Sequence, residues 1–512
     1  MKKGQRGKRA GLIGLVAVAV VLTAASSQTD RHVTLSPTDT EKEVLLKAVQ
    51  VRPSQRQMAW QRREFTLFAH FGINTFTGKE WGNGKEDPAL FNPTAFDAGQ
   101  WAKTAKAAGM SAIILTAKHH DGFCLWPTEY TEHSVKNSPW RGGKGDVVRE
   151  VSKACKREGL GFGIYLSPWD RHEPTFGTQA YNDYYKNQLR ELLINYGEIV
   201  EVWMDGACAG DGCEKMRDLY DWEEIFALVR ELQPDAVISI SGPDVRWVGN
   251  EAGKNRESEW SVLTGTFIEH GDMTDEDLGS RKRLMEAREN SAPLVWYPSQ
   301  VDVSIRPGWF YHGYEDLFVR PVRNLLKIYY DSVGGNSQLL LNVPPDRRGL
   351  FAERDVKRLK RLGKVLRETF DEDLAEGARA TASAVRDGDD KYSPMNTLEN
   401  DPSTWWMTDD WETGAEIEYV LDGEKTFNVI MVQEAIAERG QRIEEFCVDA
   451  HVSGRWVEIG CATTVGYKKL MKIEDVTSDR VRLRVSKSRV CPTVSRFGLF
   501  YQPAICKVRL VP

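Results

Sequence analysis

Short, continuously apolar runs alternate along this chain with longer stretches of helical periodicity. Such runs are typical of strands covered on both faces, as in a parallel sheet. Before residue 345 they are Phe65–Ile73, Ser111–Ala117, Leu160–Ser167, Val200–Met204, Ala236–Ser241, Pro293–Val301 and Gln338–Val343. The helical stretches between them are Phe96–Ala108, Asp146–Glu158, Ala180–Tyr196, Trp222–Gln233 and Glu315–Val333. This alternation predicts an α/β fold, a (β/α)8-type barrel.

The pattern changes after a charged amphipathic helix predicted over Ala352–Phe370. We expect an eighth barrel strand near Gly308–His312, while residues 255–290 fit neither pattern. The later apolar runs are short and separated by Gly, Asp and Ser, which favours an antiparallel β-sandwich. They are Ala415–Leu421, Phe427–Gln433, Glu445–Ala450, Arg455–Ala462, Lys468–Ile473, Arg480–Val485 and Arg496–Gln502. The sequence therefore predicts a barrel domain over residues 51–371 and an all-β, jelly-roll-like sandwich over residues 372–512.

Residues 1–27 have the features of a secretory signal peptide. A cationic start is followed by an apolar run over Ala10–Ala25 and small residues up to Ser27. Cleavage near residues 25–27 would give a periplasmic or secreted protein. A retained anchor is the alternative, although the run is short of the roughly 20 apolar residues of a spanning helix. Residues 28–50 are polar and are interpreted as a tether.

Charge and cysteine content exclude several classes of function. A net charge of −6 on 512 residues gives no electrostatic reason for binding nucleic acid or an anionic membrane. Eight scattered Cys do not form a disulfide scaffold, and no spacing indicates structural zinc. Cys208 and Cys213 flank a Gly-rich loop and fit either a bridge or two free thiols.

Four predicted strands end in polar and aromatic residues, and in a barrel such ends meet at one mouth. Aromatic faces pack on a sugar ring, and His, Glu and Asn bind its hydroxyls. A carboxylate followed by Gly suits attack on an anomeric carbon. The mouth is therefore predicted to be a sugar pocket. Its candidate residues are His70, Glu80 and Trp81 after the first strand, His119, His120 and Asp121 after the second, Tyr165 in the third, and Trp203 and Asp205 in the fourth.

Each of these residues also has a plainer interpretation. A His at a strand end is more often structural, Trp203 could be barrel packing, and Asp205 could be a turn residue. His119, His120 and Asp121 could suggest a metal. Because successive strand residues point to opposite faces, adjacent His rarely bind one ion, and no metal is expected.

Several motifs together resemble those of glycoside hydrolase family 29, the α-L-fucosidases. The resemblance covers roughly residues 52–370. The matching segments are His70-Phe71-Gly72, Glu80-Trp81, His119-His120-Asp121-Gly122-Phe123, Trp203-Met204-Asp205-Gly206 and Leu341-Asn342-Val343-Pro344-Pro345-Asp346-Arg347-Arg348-Gly349.

The resemblance implies a retaining exo-fucosidase with Asp205 as nucleophile. The segment Arg246-Trp247-Val248-Gly249-Asn250-Glu251 is similar to the acid/base loop of the subgroup that cleaves branched α-1,3/1,4-linked fucose, which implies Glu251, with Glu257, Glu259 and Glu269 as competitors. The substrates implied are fucosylated oligosaccharides or glycoconjugates, with no cofactor. The implied fucose contacts are His70, Glu80, Trp81, His119, His120, Tyr165, Trp203 and Trp309.

The C-terminal segment resembles a discoidin-like (F5/8 type C) sandwich, best marked by Thr404-Trp405-Trp406 and the Arg480–Val485 strand. Such folds bind sugar or calcium or brace a barrel, and we favour bracing. A non-catalytic sugar-binding protein, a transfucosidase and another retaining glycosidase stay open as alternatives for the whole chain. Oligomeric state is not predicted.

Overall fold

The computed structural model describes residues 33–206, 218–265 and 272–504. The predicted signal peptide, Cys208, Cys213 and Glu269 lie outside these ranges. Within the ranges, no helix has both the length and the apolar composition needed to cross a bilayer.

The chain up to Phe370 consists of strands and helices in close alternation. The strands are β1 (Val33–Thr34), β2 (Phe65–Ala69), β3 (Ala112–Lys118), β4 (Gly161–Leu166), β5 (Glu201–Met204), β6 (Val237–Ile240), β7 (Arg246–Trp247), β8 (Val262–Thr264), β9 (Pro293–Trp296), β10 (Ser299–Ser304) and β11 (Gln338–Asn342). The helices are α1 (Glu41–Gln50), α2 (Gln55–Gln61), α3 (Ile73–Thr77), α4 (Ala98–Ala108), α5 (Val147–Glu158), α6 (Gln179–Asn195), α7 (Trp222–Leu232), α8 (Arg281–Glu289), α9 (Val322–Ser332) and α10 (Glu353–Phe370).

Eight strands form one parallel sheet in the order β6-β5-β4-β3-β2-β11-β10-β7. An isolated bridge between Ser239 and Val245 joins the two end strands, so the sheet is a nearly closed barrel. Its interior is packed by Phe68, Ile114, Tyr165, Trp203 and Leu340, which face one another across the barrel. The predicted (β/α)8-type barrel is therefore confirmed.

The eighth strand is not where the sequence pattern placed it. The barrel is completed by the two-residue strand β7, whereas residues 308–312 are a loop. The backbone N–H groups of Trp309 and Phe310 donate to the carboxylate of Glu80, at 2.8 and 3.4 Å, and not to a neighbouring strand. This loop carries strand-like residues because it packs aromatic side chains against the barrel mouth.

The run Pro293–Val301 is two strands and not one. β9 pairs antiparallel with β1 and β8 in a small separate sheet, while β10 lies in the barrel between β11 and β7. The chain breaks between them at Pro298, which has no N–H to donate to a sheet. Residues 255–290, which fitted neither pattern, contribute β8 and α8.

The segment interpreted as a tether contains β1, which pairs with β9, and the helix α1, so that interpretation is wrong for these two elements. Thr40 and Glu43 form a capping box at the start of this helix. Val44, Leu45 and Ala48 are buried in a cluster with residues of α8 and β9. Because α1 contains four charged residues, its composition alone does not indicate this apolar face.

The C-terminal part is an antiparallel sheet domain with its own core. Two long strands pair with register shifts near their middles, and both halves of each contribute to this core, in which Tyr419 stacks on Phe497 at 4.0 Å. Four predicted runs therefore belong to two continuous strands. A disulfide joins Cys447 and Cys461, directly opposite on neighbouring strands. The elements are β12 (Arg379–Ala382), β13 (Trp406–Met407), β14 (Ala415–Gln433), α11 (Ile436–Arg439), β15 (Ile443–Val452), β16 (Arg455–Ala462), β17 (Lys469–Ser488), β18 (Thr493–Val494) and β19 (Arg496–Phe500).

Candidate active site

The mouth of the barrel collects side chains from the carboxyl ends of four neighbouring strands. We call this set the strand side. Because β2, β3, β4 and β5 are adjacent and parallel, these ends open onto one cavity. The strand side consists of His70, His119, His120, Tyr165 and Asp205.

Asp205 follows β5 directly and is the carboxylate of the strand side. The Tyr165 hydroxyl donates to its Oδ2 at 3.0 Å, and His120 Nε2 lies 3.6 Å from the same oxygen. The Asp205 side chain remains 20% exposed while Tyr165 and His120 are buried. A carboxylate that accepts from the Tyr165 hydroxyl and is partly exposed to the cavity has the arrangement that a nucleophile requires.

Hydrogen bonds fix the tautomers of two of the histidines. The Ser167 hydroxyl donates to the Trp169 carbonyl at 2.6 Å, so its oxygen accepts from His120 Nδ1 at 2.7 Å. His70 Nδ1 likewise donates to Asn342 Oδ1 at 2.9 Å. Both rings therefore keep a lone pair on Nε2, which can accept a hydrogen bond from a hydroxyl group.

Burial favours the neutral form of all three histidines of the strand side. Burial lowers the pKa of His70 to about 3 and lowers that of His119 well below its ordinary value. It also lowers the pKa of His120, although the charge of Asp205 opposes this shift. The transition state of glycoside cleavage resembles an oxocarbenium ion. Neutral imidazoles could therefore accept from hydroxyls without placing positive charge beside such a cation.

Trp203 lies below this layer. Its ring stacks on Tyr165 at 5.1 Å, and its indole N–H donates to Gln300 Oε1 at 2.8 Å. Because that N–H is occupied and the residue is 4% exposed, Trp203 can offer a ligand only part of its ring.

The other half of the mouth is built from loops, and we call it the loop side: Glu80, Trp81, Glu251 and Trp309. Glu80 accepts from His312 Nε2 at 2.6 Å and from the Trp309 backbone N–H at 2.8 Å. The Trp309 ring lies 5.0 Å from that of His70. Trp81 is 45% exposed and meets the ring edge of Trp169 at 5.5 Å, which places an aromatic surface at the rim.

Glu251 lies in the loop after β7 and is exposed. The indole N–H of Trp309 donates to Glu251 Oε2 at 3.3 Å. Partial desolvation of the carboxyl raises the pKa of Glu251; the charges of Asp205 and Glu80 add to this effect, and the bond from Trp309 opposes it. A carboxyl with a raised pKa at the rim is suited to hold a proton as a general acid.

The competing acids of this region have different surroundings. Glu259 is buried, and its carboxylate forms ion pairs with Arg246 and Arg256. Glu257 is exposed, and its backbone carbonyl accepts from the Thr463 hydroxyl at 2.8 Å. Glu259 is therefore occupied in a structural role, and Glu251 is the acid of this loop bonded to a residue of the mouth.

Sequence reasoning missed one buried carboxyl of the site. Asp302, on β10, accepts from the Trp247 indole N–H at 2.7 Å. Burial raises its pKa to about 8, and the charges of Glu251 and Asp205 contribute. The signal was the alternation of polar Gln300, Asp302 and Ser304 with Val301 and Val303, which continues beyond the predicted run Pro293–Val301. Sequence reasoning also missed supporting residues that hold the site histidines and Glu80: Ser167, His312 and Asn342.

Comparison with known proteins identifies close relatives. Residues 36–369 match the family model described as alpha-L-fucosidase. "Alpha-L-fucosidase 1" of Arabidopsis thaliana is 43% identical over 88% of this chain and 87% of its own length. A solved structure from Bacteroides ovatus is 44% identical, covers 93% of this chain and 78% of its own, and superposes with a TM-score of 0.82. A Ruminococcus gnavus GH29 fucosidase in complex with fucose is 30% identical, covers 92% and 99%, and has a TM-score of 0.77.

Proposed function

Because the chain belongs to the α-L-fucosidase family of glycoside hydrolases, we propose that it removes terminal α-L-fucose by two displacements that retain the anomeric configuration. The proposal assigns the nucleophile to Asp205 and the acid/base to Glu251. Its main support is the contrast between the two carboxyls of one mouth. Asp205 is stabilised by the Tyr165 hydroxyl, whereas burial and neighbouring charge raise the pKa of Glu251.

In the first step Asp205 attacks the anomeric carbon while protonated Glu251 gives its proton to the departing glycosidic oxygen. A fucosyl ester of Asp205 forms, and Glu251 becomes a carboxylate. In the second step Glu251 takes a proton from water, and the water oxygen displaces Asp205 at the same carbon. Two inversions restore the starting configuration. The lone pairs on Nε2 of His70 and His120 accept from the sugar hydroxyls.

We propose that branched glycans with α-1,3- or α-1,4-linked fucose are the preferred substrates. The support is the loop from Arg246 to Glu251, together with the exposure of Glu251 and Trp81 at a rim able to contact a second sugar. The test compares Lewis-type trisaccharides, the α-1,2-linked H trisaccharide and an aryl fucoside. A higher kcat/KM for the H trisaccharide than for the Lewis sugars would refute the linkage assignment.

Glu251→Ala tests the acid/base assignment. General acid catalysis contributes about 10²–10⁴-fold, so hydrolysis of a trisaccharide should fall by that factor. An activated aryl fucoside needs little protonation and should form the ester at nearly the wild-type rate. Azide should then rescue turnover and give α-fucosyl azide, because it attacks the ester in the second inversion. If kcat/KM fell equally for both substrates, or if no fucosyl azide formed, Glu251 would be rejected as the acid/base.

Export of the chain is also proposed. The cationic and apolar character of residues 1–27 supports it, and the Cys447–Cys461 disulfide fits an oxidising compartment. Mass spectrometry of the protein from its native host should find a mature chain that starts near residues 26–28. An intact Met1 terminus would contradict this.

A further inference from the structure

The loop that carries Glu251 is held by the C-terminal sheet domain. We call residues 248–261 the acid/base loop. The backbone N–H of Glu259 donates to the Thr464 hydroxyl at 3.0 Å, and its carbonyl accepts from Gln441 Nε2 at 2.9 Å. Gln441 Oε1 also accepts from the Ser261 N–H at 2.8 Å. Gln441 is fully buried, so these bonds are shielded from water.

From Glu259 the contacts continue to the segment that precedes Glu251. The Glu259 carboxylate pairs with Arg246 of β7 and with Arg256. Arg256 Nη1 in turn donates to the Val248 carbonyl at 2.9 Å. Gly249 follows at φ 101°, where a Cβ would lie 2.0 Å from the Met273 carbonyl oxygen. Arg256 thus holds the backbone at Val248, and the backbone of Gly249 then passes close to that of Met273, two residues before Glu251.

On the sheet domain, a buried carboxylate holds the two contacting segments together. Glu434 Oε1 accepts from the backbone N–H groups of Arg442 and Ile443, at 2.7 and 2.9 Å. Its Oε2 accepts from the Gly466 N–H at 2.7 Å. Gln441 directly precedes Arg442, and Thr464 lies two residues before Gly466. They are therefore presented to the acid/base loop by a preorganised support.

We infer that the C-terminal sheet domain is a working part of the acid/base machinery, in which Gln441 and Thr464 are positioning residues for Glu251. The inference rests on the proposed role of Glu251. Glu251 follows a strand of two residues and is exposed. Within the barrel domain Trp309 donates to it, and the sheet domain adds the contacts of Gln441 and Thr464 to its loop. Asp205 directly follows a four-residue strand inside the sheet and needs no such brace.

The test separates misplacement of the acid from general destabilisation. Thr464→Val keeps the side-chain volume and removes the acceptor for Glu259; Gln441→Leu removes both amide contacts. A misplacement near 1 Å can cost about 10²-fold, so trisaccharide hydrolysis should fall by roughly 10- to 100-fold in each variant. The kcat/KM of an activated aryl fucoside, which reports ester formation, should fall by less than about three-fold, because departure of the aryl group does not need the acid. Thr464→Ser, which restores the acceptor, should recover the trisaccharide rate.

Arg281→Gln is the matched control. Arg281 on α8 pairs with Glu444 of the sheet domain at 2.6 Å, so this variant weakens the same domain contact away from the acid/base loop. It should lower the melting temperature without changing the ratio of kcat/KM for the trisaccharide to kcat/KM for the aryl fucoside. Glu251→Ala is measured in parallel. If Glu251→Ala does not discriminate between leaving groups, the proposed function fails. If it does, but Thr464→Val lowers both rates equally, the inference is overturned. Should Gln441→Leu not fold, the isosteric Thr464→Val decides alone.

Discussion

The strand side and the loop side of the mouth differ in what holds their functional groups. His70, His119, Tyr165 and Asp205 are at or next to the ends of strands that pair on both sides within the barrel. Glu80, Glu251 and Trp309 lie in loops and hold one another through hydrogen bonds. The comparison teaches that the proposed nucleophile is built into the scaffold, whereas the proposed proton donor depends on contacts assembled from several segments.

Removal of the Asp205 carboxylate should have the largest effect, because no other strand-side group can form the ester. Asp205→Ala is expected to lower kcat on every substrate by about 10⁴-fold or more. Azide should rescue an activated fucosyl donor and give β-fucosyl azide, since only one inversion then occurs. This product has the opposite configuration to that expected from Glu251→Ala, and NMR distinguishes the two.

Asp205→Asn provides the control for Asp205→Ala, because it keeps the shape and removes the charge. It should be as inactive as the alanine variant, without space for azide. An α-configured azide product from Asp205→Ala would show that a different group is the nucleophile.

Tyr165→Phe should be the next most damaging change, since it removes the hydroxyl that donates to Asp205. A hydrogen bond to a charged group is worth about 1.5–3 kcal/mol, so kcat/KM should fall by about 10- to 100-fold. The loss should be the same for good and poor leaving groups, because the strand side acts on the fucose itself. Steady-state kinetics on both substrates checks this.

Tyr185→Phe is the matched control for Tyr165→Phe. The Tyr185 hydroxyl donates to the Leu166 carbonyl at 2.9 Å, in the helix layer outside the barrel. It should lower the melting temperature and leave kcat/KM within about two-fold of wild type. A larger effect on poor leaving groups in Tyr165→Phe would contradict the division between the two sides.

The strand side of the mouth could be predicted from the sequence better than the loop side. A residue at the end of an apolar strand has its place fixed by the register of the sheet, so motifs such as His119-His120 and Met204-Asp205 predicted the strand side. The two-residue strand β7 leaves too short a run to detect, and residues 308–312 form a loop although they resemble a strand. Asp302 and the brace from Gln441 depend on contacts between distant segments, which no local pattern reports.

Trp309→Phe should produce a smaller and more specific effect. The indole N–H donates to Glu251 and opposes the rise in its pKa, so its removal should raise the pKa of Glu251 further. Because the general acid would then keep its proton to higher pH, the alkaline limb of the kcat/KM profile for a trisaccharide should move upward. The profile for an activated aryl fucoside serves as internal control. A downward shift would mean that the smaller ring admits water to Glu251.

Asp302→Asn should have the smallest effect on activity, because the substitution keeps the hydrogen-bond acceptor and the neutral charge of the buried carboxyl at neutral pH. Asparagine Oδ1 can still accept from Trp247, and both side chains are uncharged below the raised pKa of Asp302, about 8. Its kcat/KM near pH 6 should therefore lie within about two-fold of wild type. A 100-fold loss would instead mean that the protonated Asp302 donates a hydrogen bond to the substrate.

The melting temperatures of Asp302→Asn and wild type, compared as a function of pH, should report the titration of Asp302, which activity near pH 6 does not detect. A pKa of about 8 in the folded protein exceeds the ordinary value of 3.8, so unfolding releases a proton between these pH values. The stabilisation from protonated Asp302 is complete below pH 3.8 and is lost progressively as pH rises through 8. Asparagine has no such loss. The melting temperature of the variant relative to wild type should therefore rise from pH 4 to pH 8, and parallel melting profiles would show that Asp302 is ionised in the folded mouth.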